Sequence, residues 1–189
     1  MTTSNHNRHS FRLRGYDYSR AGLYFVTICV KNRLHLFGDV CDGEMVLNDA
    51  GKMIEKWCSE ISTKFADITL GEYIIMPNHF HAIIINHGND VTRRRGGPAC
   101  PPIASNCDNG YQGEHVGSPL HRVIQWFKTM TTNEYIRNVK TSNWKPFAKK
   151  LWQRNYHEHI IRNNHSHKFI VNYIANNPKT WETDRFNLN

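Results

Sequence analysis

Two histidines, His79 and His81, stand one residue apart inside the apolar run "IIMPNHFHAIIIN" (residues 74–86). Side chains at i and i+2 of a strand leave from one face, roughly 6.5–7 Å apart along the chain. Both imidazoles can then converge on one metal ion while Phe80 points the other way. The competing reading is a pair of hydrogen-bonded histidines on an ordinary strand. Two imidazoles do not close a metal site: a third ligand must come from elsewhere, and a catalytic ion keeps a position open for substrate or water. A partner is offered late in the chain, where Tyr173 and Asn177 are spaced i and i+4, so a phenol and an amide oxygen share one helix face. A plainer reading stands beside it, because Phe169, Ile170, Tyr173 and Ile174 form an apolar helical stripe of the kind that packs into a core. Two more H-x-H pairs occur. His157 and His159 flank Glu158 in an extended segment and either join a site or hydrogen-bond within a sheet, whereas His165 and His167 fall at the polar start of a helix, where i and i+2 diverge, and read as surface residues.

These residues need elements to hold them. "LYFVTICVK" (23–31) is β-branched and aromatic and predicts a strand. "EMVL" predicts a short one, after which Asn48 or Asp49 caps a helix with Met53, Ile54, Trp57, Cys58 and Ile61 at helical spacing. "ITLGEYIIM" and "HFHAIIIN" predict two strands broken at "PN", since Pro77 cannot donate to a ladder. The stretch from Gly88 to Gly117 is rich in Gly and Pro and predicts a loop. A helix follows from Pro119, with Val123, Ile124, Phe127, Met130 and Tyr135 on its apolar face; "KLWQRNYHEHIIRN" predicts two short extended pieces; a last helix begins near Asn164 and is stopped by Pro178. This order predicts an antiparallel α+β sandwich.

At 189 residues the chain suits one domain. Apolar residues at 39% and a mean hydropathy of -0.62 predict a globular chain with a wet surface, and the longest apolar runs fall far short of the roughly 18 residues of a membrane span. Five cysteines form no C-x-x-C, which suits a reducing cytoplasm. The net charge of +8 comes from 24 Lys and Arg residues spread along the chain, a balance that suits a polyanion such as nucleic acid or simply a solvated basic surface. "RRR" at 93–95 admits the same two readings. In "HRVIQWFK" and "LWQRNY", Arg122, Lys128 and Arg154 are candidates to meet phosphates while neighbouring aromatics stack bases. For Trp126, Phe127 and Trp152, core positions are the favoured reading for at least two of the three.

"MPNHFHAIII", "FKTMTTNEYI", "LWQRNYHEHIIRN" and "VNYIANNPKTW", in that order, resemble the single-tyrosine HUH transposases of insertion sequences, most closely the REP-associated tyrosine transposase branch. The resemblance covers nearly the whole chain, from about Leu23 to Trp181, and its specificity lies in the order and spacing of the segments. It implies a ferredoxin-like sandwich, the HUH endonuclease fold, with a basic arm over 1–22, one catalytic domain over 23–181 interrupted by an insertion at 88–117, and a tail over 182–189. It implies binding and cutting of single-stranded or hairpin DNA in the cytoplasm, at the nucleoid; a homodimer is left open. By the same resemblance His79 and His81 hold a divalent metal, Mg²⁺ or Mn²⁺, against the scissile phosphate, Tyr173 is the nucleophile just before an "NP" step, and Asn177 completes the metal site. The long insertion departs from compact members of that family.

The chemistry implied is consistent with these side chains. A free tyrosine has a pKa near 10 and is a weak nucleophile at neutral pH, so a nearby cation is needed to polarise the phosphate and favour the phenolate. Imidazole suits Mn²⁺ better than Mg²⁺, and an amide oxygen accepts either. Attack leaves a 5′-phosphotyrosine and a free 3′-hydroxyl, and a second hydroxyl can reverse the step without ATP. The alternatives are a domesticated hairpin-binding protein that moves no DNA and, more distantly, a metalloprotein with histidine and cysteine ligands.

Overall fold

The computed structural model describes residues 20–88 and 119–187; the N-terminal arm to residue 19, most of the 88–117 insertion with its "RRR", and residues 188–189 lie outside the described residues. Alternation along β1 (Gly22–Cys29) sends Tyr24, Val26 and Ile28 to one face and Leu23, Phe25 and Thr27 to the other. Its antiparallel partner β5 (His79–Asn86) continues the sorting: Phe80 lies opposite Ile28, Ala82 opposite Val26 and Ile84 opposite Tyr24. These six side chains belong to the main core, each at most 1% exposed, and full burial of the larger aliphatic and phenyl groups among them contributes about 1.5–3 kcal/mol apiece.

β4 (Ile68–Met76) joins β5 through Pro77 and Asn78, and β6 (His157–Ile161) pairs with the free edge of β1. The sheet order is β4-β5-β1-β6 with every neighbour antiparallel. Pro77 sits in the turn rather than the ladder, where its carbonyl accepts from Leu36 and Phe37 backbone N–H groups at 2.9 and 3.1 Å.

α1 (Asp49–Lys64) and α2 (Pro119–Thr141) cover the Tyr24–Phe80 face. Taken with the four strands they give the β-α-β-β-α-β order of a ferredoxin-like sandwich. Asn48 caps α1, its Oδ1 accepting from Gly51 N at 3.0 Å while its Nδ2 donates to Leu36 O at 3.1 Å. Gly51 is required by close approach, because a Cβ there would run into the Phe37 carbonyl.

α3 (Asn164–Asn176) packs on the opposite face, its Ile170 and Ile174 against Ile83 and Ile161. Asn163 caps it through Ser166 N at 2.8 Å. A 3₁₀ turn over Pro178–Thr183 follows at once.

Three sequence expectations need correction. Ahead of β3 (Glu44–Leu47) the chain forms β2 (Gly38–Cys41), not expected from "GDVC"; the pair is a separate hairpin closed by Asp42 and Gly43, both at positive φ (53° and 77°). That is the Asp-Gly turn chemistry of tight hairpins, so the signal was present. Of the two extended pieces expected before α3, only β6 is a strand; Trp152 makes a single bridge to Val30. Phe169, expected in the apolar stripe, is 69% exposed. Trp152 and Phe127 are core, as favoured. Among the described residues no helix is long and apolar enough to cross a membrane, and Cys29, Cys41 and Cys58 are free thiols.

Candidate active site

The β5 residues that leave the main core build the site. His79 and His81 are 0% and 1% exposed on the α3 face, with ring centroids 4.5 Å apart. Register places Cys29 beside His79 and Thr27 beside His81, with His157 on the far side of Thr27. Thr27 Oγ1 lies 2.8 Å from His81 Nδ1, and Asn78 Oδ1 lies 2.9 Å from His79 Nδ1. An amide oxygen only accepts, so His79 carries its proton on Nδ1 and presents a lone pair at Nε2. The Thr27 hydroxyl can accept from or donate to His81 Nδ1; in the tautomer with the proton on Nδ1, His81 Nε2 accepts from the Tyr173 hydroxyl, 3.4 Å away.

Tyr173 arrives from α3, its ring edge-on to Phe25 at 6.0 Å and to His81 at 5.3 Å. One turn on, where α3 gives way to the 3₁₀ turn, Asn177 is fully buried and donates from Nδ2 to Asp184 Oδ2 at 3.4 Å. His79 Nε2 and Asn177 Oδ1 are both buried and without a hydrogen-bond partner. The Asn177 amide lies near enough to the His79 ring to favour its protonated form, yet neither orphaned atom reaches a donor. Buried acceptors lacking donors cost about 1–3 kcal/mol each; a cation, or a water donating both of its protons, is a partner that two lone pairs can share.

Charge and burial set the protonation states. Burial pushes His79 well below the usual imidazole range, with the neighbouring His81 and Arg33 adding to it. Burial lowers His81 to about 3, helped by Arg185. Burial and the Asp184 carboxylate raise the Tyr173 phenol, and Asn177 and Arg185 only partly oppose them. At neutral pH the site holds two neutral imidazoles and a protonated phenol.

Residues after the 3₁₀ turn close the site, and no periodicity announced them. Phe186 is 2% exposed, its ring 4.7 Å from His79 and 5.8 Å from His81. Asn78 Nδ2 donates to Phe186 O at 2.8 Å and to Arg33 O at 3.2 Å. The guanidinium carbons of Arg33 and Arg185 lie 4.4 and 4.7 Å from the Phe186 ring centre. A cleft of about 620 Å³ opens here, lined by Phe25, His81, His159, Phe169, Tyr173 and Arg185 among others.

Among the described residues no three His, Cys, Asp or Glu side chains are grouped to hold a metal. The donor set that does converge is two imidazoles and an amide oxygen, with a phenol beside them. Its two orphaned lone pairs suit a borderline or hard divalent ion such as Mn²⁺ or Mg²⁺.

The three basic candidates separate. Lys128 and Arg154 line a second groove of about 470 Å³, between α2 and the segment before β6. Lys128 Nζ donates to Gln153 O at 2.8 Å and Arg154 O at 3.3 Å, and burial lowers it to about 8. Arg122 lies elsewhere on α2, 3.9 Å from Asp67. Tyr156 lines the Lys128 groove, away from the histidines. His165 and His167 fall in the first turn of α3, and neither lines the cleft.

The architecture is the one the resemblance implied. A solved structure described as the REP-associated tyrosine transposase bound to a REP hairpin superposes with a TM-score of 0.55 at 16% identity, over 90% of this chain and 73% of that one. No family model matches the sequence. An uncharacterized protein of Haemophilus influenzae is 34% identical over 183 residues, covering 95% of this chain and 93% of its own length. The chain belongs to one family with that protein.

Proposed function

We propose that the protein is a metal-dependent single-strand DNA endonuclease and transposase that cuts and rejoins hairpin-bearing DNA through Tyr173. The observation that carries this reading is the meeting of the Tyr173 hydroxyl with His81 Nε2 at 3.4 Å, beside two orphaned lone pairs, on residues 92 positions apart in sequence. The shared fold with a transposase that holds a hairpin supports the choice of substrate.

In this reading the Tyr173 oxygen bonds to phosphorus as the bond from phosphorus to the 3′ oxygen breaks. The phenol gives up its proton, the departing 3′ oxygen takes one up, and the 5′ end remains on the tyrosine. Attack by another strand's 3′-hydroxyl reverses the step. His79 and Asn177, joined by His81 once its Nε2 gives up the Tyr173 hydroxyl, would hold the divalent ion, which would supply positive charge that favours the phenolate and stabilises charge building on the phosphate. Asn78 fixes His79 in the tautomer that presents Nε2 to the site, and the Thr27 hydroxyl, by accepting from His81 Nδ1, would support the same tautomer there. Phe25 and Phe186 shield the reacting groups from bulk water. Lys128 and Arg154 provide a basic groove for flanking phosphates, and such a substrate puts the protein at the nucleoid.

Covalent capture tests the reading. Wild-type protein with Mn²⁺ and end-labelled single-stranded hairpin DNA should give a denaturant-resistant adduct, and Tyr173→Phe should give none while binding the same DNA within about twofold. An adduct of wild-type yield in the variant would move the nucleophile and overturn the assignment. Binding without capture in the wild type would point to a hairpin-binding protein instead.

A further inference from the structure

Phe169 stands apart from the residues around it. Its neighbours on α3, Ile170 and Ile174, are 6% and 3% exposed, whereas Phe169 at 69% exceeds the other exposed large hydrophobics, Val46, Ile136 and Tyr73. A single exposed ring is ordinary on a protein surface; what sets this one apart is its place in the cleft beside the phenol. It lies four residues before Tyr173, about one helical turn or 5.4 Å along the axis, and both side chains line the same cleft. The cleft also has a charged side. Arg185 lines it beside Asp184, forms no ion pair among the described residues, and has its guanidinium carbon 4.7 Å from the Phe186 ring centre. An exposed aromatic face and a guanidinium with no ion-pair partner among the described residues therefore border the phenol, together with the Asp184 carboxylate, which accepts from Asn177 Nδ2 and Phe186 N.

We propose that this cleft seats one unpaired nucleotide flanking the scissile phosphate, its base stacked on Phe169 and its phosphate against Arg185. The proposal rests on the single-strand cleavage reading above and names the part of the substrate that the cleft takes. Its size fits: about 620 Å³ lies within the 300–1,000 Å³ usual for small-ligand sites. Stacking on a phenyl needs only a π-face, so the subsite accepts any base and supplies affinity and placement rather than sequence choice. Arg185 adds a fixed charge and planar donors for phosphate oxygens. A base held one turn from the nucleophile restrains the backbone beside it, which converts binding into orientation.

The test couples protein and substrate changes in the full chain, using a single-stranded hairpin oligonucleotide with or without an abasic site next to the cleavage position. Phe169→Ala should weaken binding of the intact strand about 5- to 150-fold, the span of one stacked base, and Phe169→Trp should restore it. The abasic site should weaken wild type by a similar factor and leave Phe169→Ala nearly unaffected. Arg185→Ala should lower the salt dependence of binding by about one phosphate contact, and a neutral methylphosphonate beside the cleavage position should penalise wild type but not this variant. Additive penalties in either pair, or a Phe169→Ala variant that binds like wild type or changes only its oligomeric state, would overturn the subsite. Coupling seen in a wild type that forms no adduct would keep the subsite and overturn the cleavage reading; an adduct without coupling would do the reverse.

Discussion

The two faces of the sheet are built from the same strands by the same alternation, yet they are finished differently. Under α1 and α2, β5 contributes Phe80, Ala82 and Ile84 to a continuous apolar core. Under α3 the same strand contributes His79, His81 and Ile83, and only the last joins an apolar cluster. Buried polar side chains gather on this second face: Thr27, His79, His81 and Asn177 are each at most 3% exposed, and two of their acceptors have no donor. One face is closed by side chains that need nothing further. The other is left chemically incomplete, and the apolar core behind it supplies the stability that such incompleteness costs.

Substitutions on the two faces should therefore separate stability from chemistry. Phe80→Ala, on the core face, is expected to cost about 3–5 kcal/mol in urea unfolding while the folded fraction keeps its adduct yield; a comparable loss in both would mean the faces are not independent. His79→Ala is expected to lower adduct formation at least about 100-fold and to remove any rise in melting temperature on adding Mn²⁺. Full activity of that variant in excess chelator would remove the metal from the reading.

Acid should act chiefly through the incomplete face. His81 in the folded chain sits at about 3, below the 6.5 of an exposed imidazole, so the unfolded chain binds more protons between those values. Stability is then fully present above pH 6.5 and is lost as pH falls toward 3. From pH 7.5 to 5.5 the metal-free protein should lose about 1.4 kcal/mol from this group alone, and His81→Gln should flatten that slope. The smallest contrast uses the two caps. Asn48→Ala and Asn163→Ala should each cost about 1 kcal/mol, but only the second, which loosens the helix carrying Tyr173, should also slow adduct formation; equal effects on rate would blur the distinction.

Much of this division is legible in the sequence. β5 was readable to the residue because β-branched alternation and the Pro77 break bound it, and the i, i+2 histidines followed. α3 and the position of Tyr173 are readable from the helix start near Asn164 and the stop at Pro178. Periodicity could not say which edge of the α3 stripe faces the sheet, so Phe169 looked like core although it is exposed. Arg122 and Lys128 are both candidates to meet phosphates by composition, but six residues turn a helix by about 600°, which sets them on different sides, as their partners Asp67 and Gln153 record. The segment Asp184–Phe186 carries no pattern at all. It is placed by hydrogen bonds from Asn78 and to Asp184 and by ring contacts with the histidines, interactions that exist only once the chain has folded.

Asn78 has a consequence of its own. Its carboxamide accepts from one imidazole and donates to the carbonyls of two segments distant in sequence, at Arg33 and Phe186. A carboxylate of the same shape would turn a lone pair toward both carbonyls, and a hydroxyl is too short to span them. Deamidation at this position would thus set a carboxylate oxygen against the Arg33 and Phe186 carbonyls and loosen both segments, while the other oxygen still accepts from His79 Nδ1.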